Sequence, residues 1–300
     1  MRLLTVAIIL ATADSRFAPD QATPKQDGHL RMALVSIRSL FSDSPDAKAN
    51  QANIDANLKR HVYFIEKLAA DGADFVGFPE LSLNGYHFSK SMTWLSIDGP
   101  EVKMLQKIAA DKGLYVSAGL ALQDAERKRW NAQIVIGPEG RIIALQKKIQ
   151  LTKEKGFTEV GSEYQVFDVK GIKMGIAICA DGSDQKNLKN LVDNGAQLIY
   201  GPHANSTGGT TAGWYKFRSN WAGPDGWIAQ FKVYAALHNH AAHFNPEFAP
   251  SSGSLGDANF ASGAWFIGPD GKTLAQMPSS SKRADSKEYV LMYSVPLPRK

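Results

Sequence analysis

Two segments of this 300-residue chain share one plan. Ala132 to Gln146 reads A-Q-I-V-I-G-P-E-G-R-I-I-A-L-Q, and Gly263 to Gln276 reads G-A-W-F-I-G-P-D-G-K-T-L-A-Q. Each is an apolar run, a G-P-acid-G turn and a second run, so each reads as a β-hairpin. Two like hairpins far apart in one chain suggest two sheets built on similar plans. The residues around them alternate between strand and helix patterns. Ile54, Leu58, Val62, Ile65 and Leu68 recur at helical spacing, with Gly72 as a stop. D-F-V-G-F follows as a short buried strand, ended by Pro79. Val102 to Ala110 reads as a second helix stopped near Gly113, and Leu114 to Leu122 as a strand. Then come strand Ile172 to Ile178, helix Gln185 to Asn194 capped by Gly195, strand Gln197 to Tyr200, and a helix around Gln230. Residues 31–300 show no linker. The alternation predicts one α/β domain with two sheets covered by helices.

Composition narrows the function classes. Hydrophobic content of 44% and charged content of 21% fit an ordinary globule with a substantial core. The net charge of +5 is dispersed, which argues against a nucleic-acid partner. No stretch after the N-terminus is long and apolar enough to span a bilayer. The start, M-R-L-L-T-V-A-I-I-L-A-T-A, has one positive charge, an apolar run from Leu3 to Ala11 and an A-x-A ending at Ala13. That is the layout of a secretory signal over residues 1–13. A first β-strand or a misassigned start is the alternative. Residues 14–30 are polar at first, contain prolines and read as a tether. The expected location is secreted or periplasmic, with a cytoplasmic protein as the alternative and no stable membrane insertion once the signal is removed.

The chemistry gathers around one thiol. Cys179 is the only cysteine, at the end of the apolar run K-M-G-I-A-I-C-A-D-G. It has no partner for an internal disulfide, so its value is either packing or reactivity. Glu80 ends D-F-V-G-F-P-E, and Lys148 lies within A-L-Q-K-K-I-Q-L. A base, a cation and a thiol, each at the end of a strand-like run, suggest covalent catalysis. His238, His240 and His243 form H-x-H-x-x-H. Strand alternation puts His238 and His240 on one face, and no acidic or cysteine ligand accompanies them, so the expectation is no metal. Ser206 to Thr211 lacks the lysine of a phosphate loop and reads as a loop near the site.

F-P-E-x-x-x-x-G-Y (Phe78 to Tyr86), the lysine of K-K-I-Q-L and the cysteine of G-I-A-I-C-A-D resemble, in order and spacing, the three signatures of the nitrilase superfamily, the carbon–nitrogen hydrolases. The N-A-Q-I-V-I-G-P-E-G and N-G-A-Q-L-I-Y-G-P-H-A-N stretches resemble the same family, over roughly residues 31–296. The resemblance implies a four-layer α-β-β-α sandwich that commonly pairs through its outer helices, hence a homo-oligomer. It implies a Glu80, Lys148 and Cys179 triad without cofactor or metal. By the same resemblance, Glu154 orients the base, lysine or substrate. Lys148 and the backbone N–H of Ala180 are the expected oxyanion donors. The start of the helix near Gln185 is expected to add a dipole term. Tyr86 and His203, near strand ends, are candidates to line the pocket, and Asn245 to Gly256 to rim it.

The chain departs from the family after the cysteine, where Ala180 and D-G-S-D-Q replace the usual residues and a Pro-Glu pair. That affects the substrate side of the pocket rather than the triad. The function implied is hydrolysis of a non-peptide carbon–nitrogen bond in a small amide or N-carbamoyl compound, through a thioester. The alternatives are nitrile hydrolysis through a thioimidate, amine acyltransfer, or a catalytically silent binding protein on the same scaffold.

Overall fold

The structure, a computed structural model, describes residues 27–41, 46–86, 92–152, 154, 156–205, 210–241, 260–282 and 287–298. The signal-like segment 1–13, most of the tether, His243, residues 206–209 of the Ser206 to Thr211 loop and the Asn245 to Gly256 tract lie outside them.

The first half runs β1 (His29–Ser36), α1 (Ala47–Ala70), β2 (Phe75–Gly77), α2 (Pro100–Lys112), β3 (Tyr115–Gln123), β4 (Arg129–Ile136) and β5 (Ile142–Lys147). The second runs β6 (Val166–Val169), β7 (Ile172–Ile176), α3 (Gln185–Asp193), β8 (Leu198–Pro202), α4 (Thr211–Phe217), α5 (Trp227–Phe231), β9 (Tyr234–His238), β10 (Ala264–Ile267), β11 (Thr273–Gln276) and β12 (Tyr289–Pro296). The described strands form two six-stranded sheets, ordered β12-β1-β2-β3-β4-β5 and β11-β10-β9-β8-β7-β6.

Side-chain alternation builds the layers. Along β1, Leu30, Met32 and Leu34 enter a core shared with Met174, Ile176, Leu198, Tyr200 and Phe266 of the other sheet. Ala33 and Val35 face the opposite way and pack under Ile54, Phe64 and Leu68 of α1 and Val102 and Leu105 of α2. On the far side, Leu188, Leu191, Trp214 and Ile228 cover Ile199, Ala235 and Ile267. The order is helix, sheet, sheet, helix, the α-β-β-α sandwich.

Both G-P-acid-G hairpins form, and they match closely. Each has a register shift beside the turn, at Val135/Ile136 and Phe266/Ile267. Each closes on a glycine with positive φ, Gly140 at 76° and Gly271 at 77°. Gly113 ends α2 in the left-handed conformation, as its position suggested. The differences from expectation are local. β1 begins at His29, inside the expected tether, because it pairs with β12 along its whole length and Leu30 is buried in the inter-sheet core. Helix α4 follows the loop expected near Ser206 to Thr211, with Thr210 accepting from the N–H of Gly213 as its cap. Strands β6 and β7 close through Lys170 and Gly171, both at positive φ, as a two-residue hairpin requires.

Among the described residues, no helix is long and apolar enough to cross a membrane.

Candidate active site

The site lies where strand ends of the two sheets meet. Glu80 is on the turn after β2. The β3 strand passes so close that a Cβ on Gly119 would stand 2.3 Å from the nitrogen of Leu81. Leu81 itself takes a φ of 51°, a conformation uncommon for a side chain this bulky. This turn aims a fully buried carboxylate inward. Its Oε1 accepts from Lys148 Nζ at 2.6 Å and Asn131 Nδ2 at 2.7 Å, and its Oε2 from the N–H of Ala204 at 3.0 Å. Behind it, His240 Nε2 donates to the Glu80 carbonyl at 2.7 Å. Burial raises the pKa of Glu80 above the usual carboxylate range, although the Lys148 charge opposes the shift.

Lys148 follows β5, held by its N–H donating to Asn131 at 2.8 Å. Its ammonium bridges Glu80 and Glu154. Burial alone would disfavour that charge. The neighbouring Glu80, Cys179 and Glu154 outweigh it and push the pKa up, so Lys148 stays protonated. Glu154 also accepts from Tyr86 Oη at 3.1 Å, while its Oε2 is buried without a hydrogen-bond partner among the described residues. Tyr86 is held well above the ordinary phenol range by burial and by the Glu80 and Glu154 charges, so it remains a donor. Its ring meets Phe260 edge-on at 6.0 Å, and Phe260 stacks on His240 at 4.7 Å, giving this side an aromatic wall.

Cys179 opens a 3₁₀ turn, Cys179–Ser183, with a φ of 45°. Its thiol is pushed up to about 12 by burial and by Glu80, while Lys148, Arg218 and the N–H of Ala204 pull it down. Ala180 is the next residue of the turn, where the first N–H groups have no acceptor within the helix itself. Helix α3 starts at Gln185, beyond the turn, with Asp184 accepting from the N–H of Lys186 as its cap.

Three residues that carry this geometry were not singled out from the sequence. Asn131 holds Glu80 from β4. Asp181 ties the lysine segment to the thiol turn: Oδ1 accepts from the N–H groups of Ile149 at 3.2 Å and Gln150 at 2.7 Å, and Oδ2 from that of Ile178 at 3.2 Å. Burial raises its pKa to about 6, with those N–H groups opposing. Arg218, after α4, reaches the carbonyl of Cys179. The acid in C-A-D-G was a visible signal for Asp181. Asn131 opens the N-A-Q-I-V-I-G-P-E-G stretch, where no role was read for it, and nothing local marked Arg218.

His203, a candidate to line the pocket, has both ring nitrogens engaged within the protein. It is fully buried, and its ring nitrogens meet Gly201 O at 2.8 Å and Arg218 Nε at 2.8 Å. Burial and the Arg218 charge hold it well below the usual histidine range, so it is neutral and accepts from the guanidinium. His238 is likewise engaged, with Tyr200 Oη at 2.8 Å and Val35 O at 3.0 Å. Among the described residues no three His, Cys, Asp or Glu side chains group as a metal site.

Known proteins place this architecture. The chain is 31% identical to a nitrilase of Pyrococcus abyssi over 154 residues, covering 49% of this chain and 58% of that protein. It is 26% identical to an omega-amidase of Xenopus laevis over 159 residues, again 49% of this chain and 58% of that one. The matched region thus spans little more than half the length of these relatives. Among solved structures, a mutant amidase from Nesterenkonia sp. AN1, carrying the acetamide moiety of fluoroacetamide on its active-site cysteine, superposes with a TM-score of 0.66. The identity there is 17%, covering 92% of this chain and 94% of the amidase, so the likeness is one of fold. The carbon–nitrogen hydrolase sequence model matches residues 31–297, nearly the whole of the two-sheet body, and the chain belongs to the carbon–nitrogen hydrolase family.

Proposed function

We propose that the protein hydrolyses a non-peptide carbon–nitrogen bond in a small amide or N-carbamoyl compound, through a thioester on Cys179. The observation that carries this reading is the shared carboxylate of Glu80. Lys148, Asn131 and the N–H of Ala204 hold it in place, and the thiol lies in its field. Lys148 has two carboxylate neighbours and one charge. Lys148 pairs with both, and burial raises the pKa of Glu80, which suits Glu80 to take a proton.

The steps follow from these placements. Cys179 Sγ bonds to the carbonyl carbon as Glu80 accepts the thiol proton. The two events are coupled, because burial keeps the resting thiol protonated. The carbonyl oxygen becomes an oxyanion facing Lys148 and the N–H of Ala180. The C–N bond then breaks, and Glu80 returns the proton to the departing amine. Water attacks the thioester carbon, Glu80 takes its proton, the C–S bond breaks, and the thiol is reprotonated as the acid leaves. The unpartnered Oε2 of Glu154 offers an acceptor to an amide N–H of the substrate. The aromatic wall of Tyr86 and Phe260 restricts the acyl part to small groups.

Ammonia release across primary amides, N-carbamoyl amino acids and nitriles tests the reading, with intact-mass detection of the acylated enzyme. Turnover of amides or carbamoyl compounds with an adduct on Cys179 is expected. Release from nitriles alone would replace it with the thioimidate route. Hydroxamate formation exceeding hydrolysis would replace it with acyltransfer. No turnover and no adduct would leave a silent binding scaffold. The proposal includes export with removal of residues 1–13, and N-terminal sequencing of protein from its native host checks that.

A further inference from the structure

Arg218 is 1% exposed, and its donors are directed at the nucleophile turn. Nη2 donates to the carbonyl of Cys179 at 2.5 Å, and Nη1 to the carbonyl of Gly182 and to Ser183 Oγ, both at 3.1 Å. Nε donates to His203 Nε2 at 2.8 Å, and the other nitrogen of that ring faces Gly201 O, which fixes the tautomer. Trp221 Nε1 donates to the same Gly182 carbonyl at 2.9 Å. Among the described residues Arg218 has no carboxylate partner; every one of these acceptors is neutral. A buried cation without a counter-charge is costly. Cys179 and Glu80, in their charged forms, act on it to favour its charge.

We propose that Arg218 is a positioning residue for the reaction: it clamps the Cys179–Ser183 turn from behind, holds Cys179 in its left-handed conformation, and sets a fixed positive charge opposite the thiolate as it forms. The fork geometry is essential. Three nitrogens reach four acceptors on two separate segments, the Cys179–Ser183 turn and His203, which a lysine ammonium cannot reproduce. Non-glycine residues resist a φ of 45°, so the turn needs bonds at both ends to stay there. Asp181 grips its front through the N–H of Ile178, and Arg218 grips the carbonyls of Cys179 and Gly182. The thiol also faces Glu80 from the turn after β2, Lys148 from the end of β5, and Tyr86. Arg218 and Lys148 are the two cations in that set.

This inference rests on Cys179 as the nucleophile. Cys179 is the only cysteine, so iodoacetamide alkylation of the full-length protein reads this thiol alone. Arg218→Lys keeps the charge and loses the fork, and Arg218→Met loses both. The Lys variant should lose about tenfold or more in kcat with a much smaller change in KM, and the Met variant more. The pH midpoint of alkylation should rise in Arg218→Met and stay near wild type in Arg218→Lys. Millimolar guanidinium should restore part of the activity of Arg218→Ala. Melting temperatures separate lost folding from lost chemistry. If the Met variant does not fold, the Lys variant and the guanidinium titration carry the test. Wild-type kcat in Arg218→Lys, or an unmoved alkylation midpoint in a folded Arg218→Met, overturns the proposal. An absent acyl adduct on the wild-type enzyme would instead overturn the functional reading.

Discussion

The two halves of the sandwich are laid out alike, and their strand pairings align residue by residue. Met32 pairs with Phe75, which pairs with Tyr115; in the second half Met174 pairs with Leu198, which pairs with Tyr234. Counting from these anchors, Phe78-Pro79-Glu80 occupies the place of Gly201-Pro202-His203, and Ile37 the place of Cys179. Both strands β2 and β8 thus run into a proline and then a polar side chain. Yet the side chains point to different work. Glu80 faces inward and accepts from the N–H of Ala204 across the interface, while His203 turns back to Gly201 and Arg218. The first half places its charges in the site, at Glu80 and Lys148. The second half places its charges behind the site, at Asp181 and Arg218, and contributes a thiol and backbone N–H groups to the front. A repeated topology brings equivalent strand ends together, and the side chains at those ends decide which half supplies carboxylate, ammonium or thiol.

The sharpest way to break this division is to remove a group from each front. Cys179→Ser should keep the fold and lose at least about a thousandfold in rate, since the oxygen is a poor substitute for sulfur here. Near-normal turnover in a steady-state assay would sink the assignment. Lys148→Ala should lower kcat about a hundredfold with a smaller effect on KM, because in the proposed mechanism its charge acts on the oxyanion. A change confined to KM would make Lys148 a binding residue instead.

A smaller effect tests the packing that aims Glu80. Gly119→Ala would place its Cβ within 2.8 Å of three backbone atoms of the Pro79 to Leu81 turn. It should cost about 1–3 kcal/mol in a denaturant titration and lower kcat as the turn shifts. Its counterpart in the second half, by the same alignment, is His238, a full side chain. Equal tolerance of Ala at Gly119 would mean that the base turn is not set by this contact.

The mildest test compares buried histidines. His61, in the first half, is lowered to about 4 by burial, against the opposing bond to Asn57, and His238, in the second half, to about 3 by burial, against the bond to Val35. Between pH 6.5 and those values the unfolded chain binds more protons than the folded one. The stability held by the neutral rings is therefore full above about pH 6.5 and is lost as the pH falls toward the folded values. Urea midpoints of His61→Gln should lie below wild type at neutral pH, with the gap narrowing toward pH 4. A constant gap would show that His61 does not titrate on unfolding.

The sequence alone determined the alternation of elements, both G-P-acid-G hairpins, and Glu80, Lys148 and Cys179 as the residues to watch. These are local properties. Apolar periodicity and turn residues act over a few positions, and a motif at a strand end survives whatever the rest of the chain does. Strand β12, the start of β1 at His29 and the short helix α4 depended on tertiary partners, because pairing and burial define them more than their own sequence does. The same holds for the supporting residues of the site. Asn131 and Arg218 are separated from Glu80 and Cys179 by long stretches of chain, so even the motif that Asn131 opens did not show what it holds. His203 looked like a pocket residue because it lies near a strand end. Only the tertiary structure showed what its ring nitrogens meet, the Gly201 carbonyl and the Arg218 guanidinium, because both contacts depend on how the chain folds back on itself.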